Sequence, residues 1–152
     1  MAANAQWILG QQPEGSKMVI WAHNGHVARS PGAMGSYLGQ QYGDDYRVLG
    51  FAFHDGQYNA VGPQGLIPYN AVPSFPGSAE YIMHKAEIAP FVLDLRNASL
   101  DDGGSSWLKT QIMSRSIGAV PVDGFFVTTT LTRDYDALIF FEHSNPSTLL
   151  PF

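Results

Sequence analysis

The chain has 152 residues, a formal net charge of −5, and 14% charged against 45% hydrophobic residues. That length serves one domain with a single core, and eight basic residues, no two adjacent, exclude the clustered Lys/Arg footprint of a nucleic-acid binder. The absence of cysteine removes disulfides, thiolate metal ligands and thiol nucleophiles, and no run approaches the roughly 18 apolar residues of a membrane span.

In chain order, Met1, Ala5, Ile8 and Leu9 recur at helical spacing and Gln11-Gln12-Pro13-Glu14-Gly15 ends the run. No capping residue precedes that helix. Met18 to Ala22 is a short, wholly apolar run that reads as a buried strand. Met34, Tyr37, Leu38 and Tyr42 mark an amphipathic helix stopped by Gly43. Val48 to Phe53 reads as a second buried strand, with His54-Asp55-Gly56 as its turn and Gln57 to Val61 as a hairpin return. The Gly- and Pro-rich stretch 62–77 is expected to be a long irregular loop.

Ser78 to Ala86 predicts a short helix, with Ser78 as its cap and Glu80 in its first turn. Phe91 to Arg96 predicts a third strand, on which Asp94 and Arg96 share a face and suit an ion pair with a neighbour. A short helix around Trp107 follows, then two strands at Ile112 to Ala119 and Phe125 to Leu131, and a last strand from Ala137 to Phe141. Trp107, Phe125 and Phe126 read as core. Strand and helix patterns alternate throughout, so the expected class is α/β, with a mixed sheet flanked by helices.

The segment Trp21-Ala22-His23-Asn24-Gly25-His26-Val27-Ala28-Arg29 concentrates the chemistry. Two imidazoles beyond a strand end would stand at the sheet rim where α/β proteins bind ligands, and imidazole exchanges protons near neutral pH. Asn24 and Arg29 are candidate hydrogen-bond donors beside them, and the bland alternative is that the histidines only hold a turn. His54, Asp55, Glu80, Glu142 and His143 could complete a metal site with His23 and His26, but none stands at a diagnostic spacing. No metal and no cofactor is therefore expected. A Gly-x-Ser-x-Gly elbow and a Gly-rich phosphate loop are both absent.

These residues resemble the C-terminal half of the erythromycin esterase family. The opening Met1-Ala2-Ala3-Asn4-Ala5-Gln6-Trp7-Ile8-Leu9 is similar to a family helix, and Lys17 to Arg29 resembles its Trp-Ala-His-Asn-x-His signature. Met34 to Leu38, Gly50 to Phe53, Gly77-Ser78 with Glu80, Leu93 to Arg96, Trp107-Leu108 and Tyr135 to Phe140 follow in order. The resemblance implies a hydrolase that opens a macrolactone by water attack, a route to antibiotic resistance, acting on a small ester or macrolactone. It assigns His23 and His26 to substrate binding and to steadying the oxyanion, with Asn24, Arg29 and Glu80 as weaker substrate-side candidates.

The family's proposed base, a histidine supported by a glutamate, belongs to its N-terminal half and has no counterpart here; His54, His84 and His143 do not match its motif. The expectation is a single domain over residues 1–152, a truncated C-terminal portion holding half of an active site and weak or inactive alone. The low charge agrees with a surface that another body covers, either a second copy or a missing N-terminal half. With no signal-like segment, a cytoplasmic location is expected, with neither nucleic acid nor membrane as partner. Two other readings stay open: a non-catalytic, self-associating binding module, and a metal-dependent hydrolase using His23 and His26.

Overall fold

The computed structural model of the chain describes residues 1–96, 104–122 and 125–148; the sequon Asn97-Ala98-Ser99 lies outside them. Three helices come first: α1 (Ala2–Gly10), a single turn α2 (Asn24–Val27) and α3 (Met34–Tyr42). Then come β1 (Leu49–Gly62), β2 (Gly65–Ala71), α4 (Ala79–His84), β3 (Phe91–Asp94), β4 (Ile112–Arg115), β5 (Phe126–Thr129), the single turn α5 (Leu131–Asp134) and β6 (Ala137–Ser144). Four strands form one sheet in the order β2-β1-β6-β3, and β4 and β5 form a separate ladder. The β1–β6 pairing is parallel and the others are antiparallel, so the sheet is mixed and the class is α/β as expected.

Strand periodicity gives the sheet two unlike faces. Ala52, Leu138 and Phe140 turn inward and pack with Met83, Leu108 and Leu131, and with the partly buried Phe91 and Leu93. The alternate positions Leu49, Phe51, Val92 and Phe141 face out and are 56%, 41%, 64% and 41% exposed. The apolar run at Val48 to Phe53 suits a strand covered on both faces; here only one face is covered. A second cluster joins Ala5, Val27, Met34, Leu38 and Val48. Tyr135 packs against both clusters, and burial pushes its hydroxyl up to about 12.

Five expectations need correction. Met18 to Ala22 belongs to no strand. Its side chains alternate, with Met18, Ile20 and Ala22 against the second cluster and Val19 and Trp21 at 91% and 84% exposure. The segment is therefore apolar on both sides with cover on one, and among the described residues its backbone makes no hydrogen bond.

The expected turn at residues 54–56 is continuous strand. Gly56 sits there at φ +120°, and a Cβ would lie 2.2 Å from the Ser144 carbonyl oxygen. Glycine there permits the close approach of β6, not a reversal of the chain. The reversal comes later, between Gly62 and Gly65, and half of the expected 62–77 loop becomes β2. Pro68 is tolerated because β2 is an edge strand. Phe125, read as core, is 43% exposed. Asp94 pairs with Arg96 itself at 2.8 Å, the two residues being near enough on one face to bridge.

A compact polar knot joins the two clusters. Asp136 Oδ2 accepts from Arg29 at 2.6 Å and from the Val48 N–H at 2.7 Å, and the Asp136 N–H donates to the Val48 carbonyl. Arg29 also donates to the Tyr46 carbonyl, and the Tyr46 hydroxyl donates to the Val27 carbonyl at 2.7 Å. One carboxylate thus sets the starting register of β1 and β6 and clamps the segment following the histidine pair. Because Asp136 is 8% exposed, removing it strands a partly buried guanidinium. Asp136→Ala is expected to cost about 3 kcal/mol, the lower range for breaking a buried pair. Urea unfolding checks this, and a loss below about 1 kcal/mol would show that the knot is a surface contact.

Candidate functional site

His23 caps α2. The Gly25 N–H donates to His23 Nδ1 at 3.0 Å, so the neutral ring carries its proton on Nε2 and points a donor away from the turn. A Cβ at Gly25 would approach His23 Nδ1 to 3.2 Å, so glycine leaves room for this cap. His26 follows within the turn, and the two rings stand 6.0 Å apart at 74°. Both line a cleft of about 510 Å³, whose far wall is the apolar segment Ile117, Gly118, Ala119 and Val120 with Val122 and Phe125. The exposed Phe125 is thus accounted for: it walls a cleft.

The structure brings His23 and His26 together but gives the other candidates different work. The Asn24 carboxamide donates to the Phe51 carbonyl at 2.7 Å and accepts from the Phe51 N–H at 3.1 Å. Both of its polar ends are spent on the edge of β1 away from β6, where no strand pairs with Phe51 because β2 begins only opposite Gly56. The Arg29 guanidinium is committed to Asp136 and Tyr46. Glu80 is 1% exposed and accepts from the Ser114 hydroxyl at 2.6 Å and the Arg115 N–H at 2.9 Å, binding α4 to β4. These three position the fold around the cleft and do not line it. Ser78 is the expected cap, accepting from the Tyr81 N–H at 3.3 Å.

A second group of histidines lies on the inward face of the main sheet. His54 and His84 stack in parallel with centroids 3.9 Å apart, and Glu142 bonds His84 Nδ1 through Oε1 at 2.5 Å. Among the described residues, the one group of His, Asp and Glu able to hold a cation is His54, His84 and Glu142. Neither His23 nor His26 belongs to it, which removes the support for metal ligation by the signature pair. Chain spacing could not reveal this group, because its members come from β1, α4 and β6.

The sequence profile of the erythromycin esterase family matches residues 1–144. The chain belongs to the erythromycin esterase family. Its fold is similar to that of a solved Bacillus cereus protein at 27% identity and a TM-score of 0.83, covering 96% of this chain and 37% of that one. A protein described as a succinoglycan biosynthesis protein matches at 24% identity and a TM-score of 0.80, over 95% and 37% of the two chains. A mutant of the erythromycin esterase EreC, in its open conformation, matches at 17% identity and a TM-score of 0.55, over 93% and 35%. The last two likenesses concern fold alone. This esterase-family chain spans little more than a third of the length of each of these proteins.

Glu80 supplies a test of the scaffold beneath the cleft. Burial pushes its carboxyl above the usual carboxylate range, against the opposing hydrogen bonds from Ser114 and Arg115. A raised folded-state pKa contributes stability that is present below the unfolded value of about 4.3 and lost as pH rises through the folded value. Glu80→Gln keeps an acceptor for Ser114 and Arg115 and cannot ionise. The variant is expected to melt at or above the wild-type temperature at pH 7, with the difference vanishing below about pH 4. A melting temperature several degrees lower at pH 7 would show that the charge itself is needed.

Proposed function

We propose that this chain supplies the oxyanion- and substrate-binding side of an ester-hydrolysing site, with His23 and His26 as its donors and a macrolactone or similar ester as substrate. The observation that carries the reading is the His23 cap. With Nδ1 accepting from Gly25, Nε2–H is fixed as a donor without any proton transfer. Water attack on an ester carbonyl places negative charge on the former carbonyl oxygen, and a preorganised donor aimed there lowers the barrier by about 3–4 kcal/mol. The cleft volume of about 510 Å³ is within the range of small-molecule sites, and its apolar far wall suits a largely hydrocarbon ring.

Neither imidazole has a carboxylate partner among the described residues. A general base is held and tuned by such a partner, so this pair is suited to receive charge and poorly suited to abstract the proton from water. The proton-abstracting group is proposed to lie in a further part of a longer protein or in a partner chain. A second reading, association with another body, is favoured by the bare sheet face with Trp21 tilted against Phe51 at 5.5 Å. Both readings hold together if the covering body also brings the base.

Mass spectrometry of a macrolide incubated with the purified chain is expected to show ring opening at background level. Ligand-observed NMR is expected to show binding of the same macrolide, weakened about tenfold or more in His23→Ala. Robust turnover abolished by His23→Ala would overturn the half-site argument, and macrolide binding indifferent to the substitution would overturn the role of His23. In gel filtration at micromolar concentration the chain is expected to elute larger than a monomer. A clean monomer would count against association through the bare face.

A further inference from the structure

We propose that His54, His84 and Glu142 form a binding site for a divalent transition-metal cation of the zinc class, separate from the His23–His26 cleft. One ring nitrogen from each histidine and one carboxylate oxygen of Glu142 all lie within 4.8 Å of one another. Metal–ligand bonds of about 2.1 Å at tetrahedral angles set ligand atoms about 3.4 Å apart. Ligation therefore asks the cluster to close by up to about 1.4 Å and one of the two imidazoles, stacked here at 3.9 Å and 9°, to turn so that both lone pairs converge. Two imidazoles and a carboxylate suit zinc, cobalt or nickel, and do not suit magnesium or calcium, which select all-oxygen sites.

The fold explains why these three meet. The parallel pairing of β1 and β6 runs from Leu49 opposite Ala137 to Gly56 opposite Ser144. Ala52 and Phe140 occupy the core face in the middle of that pairing, and His54 and Glu142 are the next positions on the same face toward the carboxyl ends. His84, in the last turn of α4, closes over them. The carboxyl ends of parallel strands are where open α/β sheets bind ligands.

The surroundings suit ligation. The Ser74 hydroxyl lies 2.5 Å from His54 Nδ1, which fixes that ring through one nitrogen and leaves the other free, the usual outer support of a metal-bound imidazole. Ser74 is itself buried, so it is placed to orient His54 and not to attack a substrate. His84 Nδ1 and Glu142 Oε1 already face each other at 2.5 Å, and a cation held by both would take the place of the hydrogen bond between them. The three residues are half-buried, and a cleft of about 280 Å³ lined by His84, Glu87, Ala89 and Glu142 gives access. Three protein ligands leave a fourth position open to water or a small anion.

The test is titration of the purified, metal-stripped chain with zinc alone, followed by calorimetry, and with cobalt alone, followed by visible absorption. One cation per chain is expected, bound at micromolar concentration or tighter, with a cobalt spectrum of four-coordinate character. His84→Ala and Glu142→Gln are each expected to weaken binding by at least tenfold, and Ser74→Ala by about tenfold. His23→Ala and His143→Ala are expected to bind as the wild type does, so failure here is distinguishable from failure of the cleft reading. Circular dichroism confirms folding of each variant, and the near-isosteric Glu142→Gln stands in if His84→Ala unfolds. Absence of one-to-one binding, or binding indifferent to both His84→Ala and Glu142→Gln, would overturn the proposal.

Discussion

The carboxylate of Asp136 is the constraint on which the arrangement depends. It lies where three things must agree: the first residues of β1, the first residues of β6, and the chain leaving the signature histidines. Its contacts with the Val48 N–H and Arg29 tie strand register to the placement of α2. A parallel pair has no hairpin to set its register, and here a side chain does that work. Gly35 makes the same junction close: a Cβ there would lie 1.9 Å from the Val27 carbonyl oxygen, so α3 packs directly on the histidine turn. The histidine side of the cleft is therefore borne by the core, while its far wall comes from the segment between β4 and β5.

The second organising fact is asymmetry of cover. Residues whose composition fits burial on both faces are covered on one, at Leu49, Phe51 and Val92 as well as at Val19 and Trp21. Relatives of solved structure are longer, with this chain corresponding to little more than a third of each. The exposed apolar face and the cleft without a carboxylate partner for its imidazoles are the two observations on which the proposed association and the proposed half-site rest.

Much of this was legible in the sequence, and the failures have physical causes. Continuous apolar runs marked β1 and β6, helical spacing marked α1 and α3, and the Ser78 cap marked the start of α4. The Met18–Ala22 run was misread because apolar residues on both sides of a segment imply cover that no described part of this chain supplies. Gly56 looked like a turn residue because proximity to Ser144, across the sheet, leaves no local trace. Asn24, Arg29 and Glu80 carry groups equally able to bind a substrate or a backbone, and composition cannot tell the two apart. His54 and Glu142 stood among the possible metal ligands but beside the wrong histidines, because the cluster with His84 is built by three elements far apart in the chain.

The Asn24 carboxamide has a consequence for what covering is possible. By donating to the Phe51 carbonyl and accepting from the Phe51 N–H, it acts as a single rung of sheet supplied by a side chain. A strand arriving at this border finds those two groups already satisfied, so the sheet cannot be lengthened there by another chain's backbone. Any body that covered Leu49, Phe51 and Val92 would therefore lie across the sheet, side chain against side chain, as a layer of helices or a second sheet does. Growth sideways is closed to this molecule at Phe51, and growth in thickness is left open.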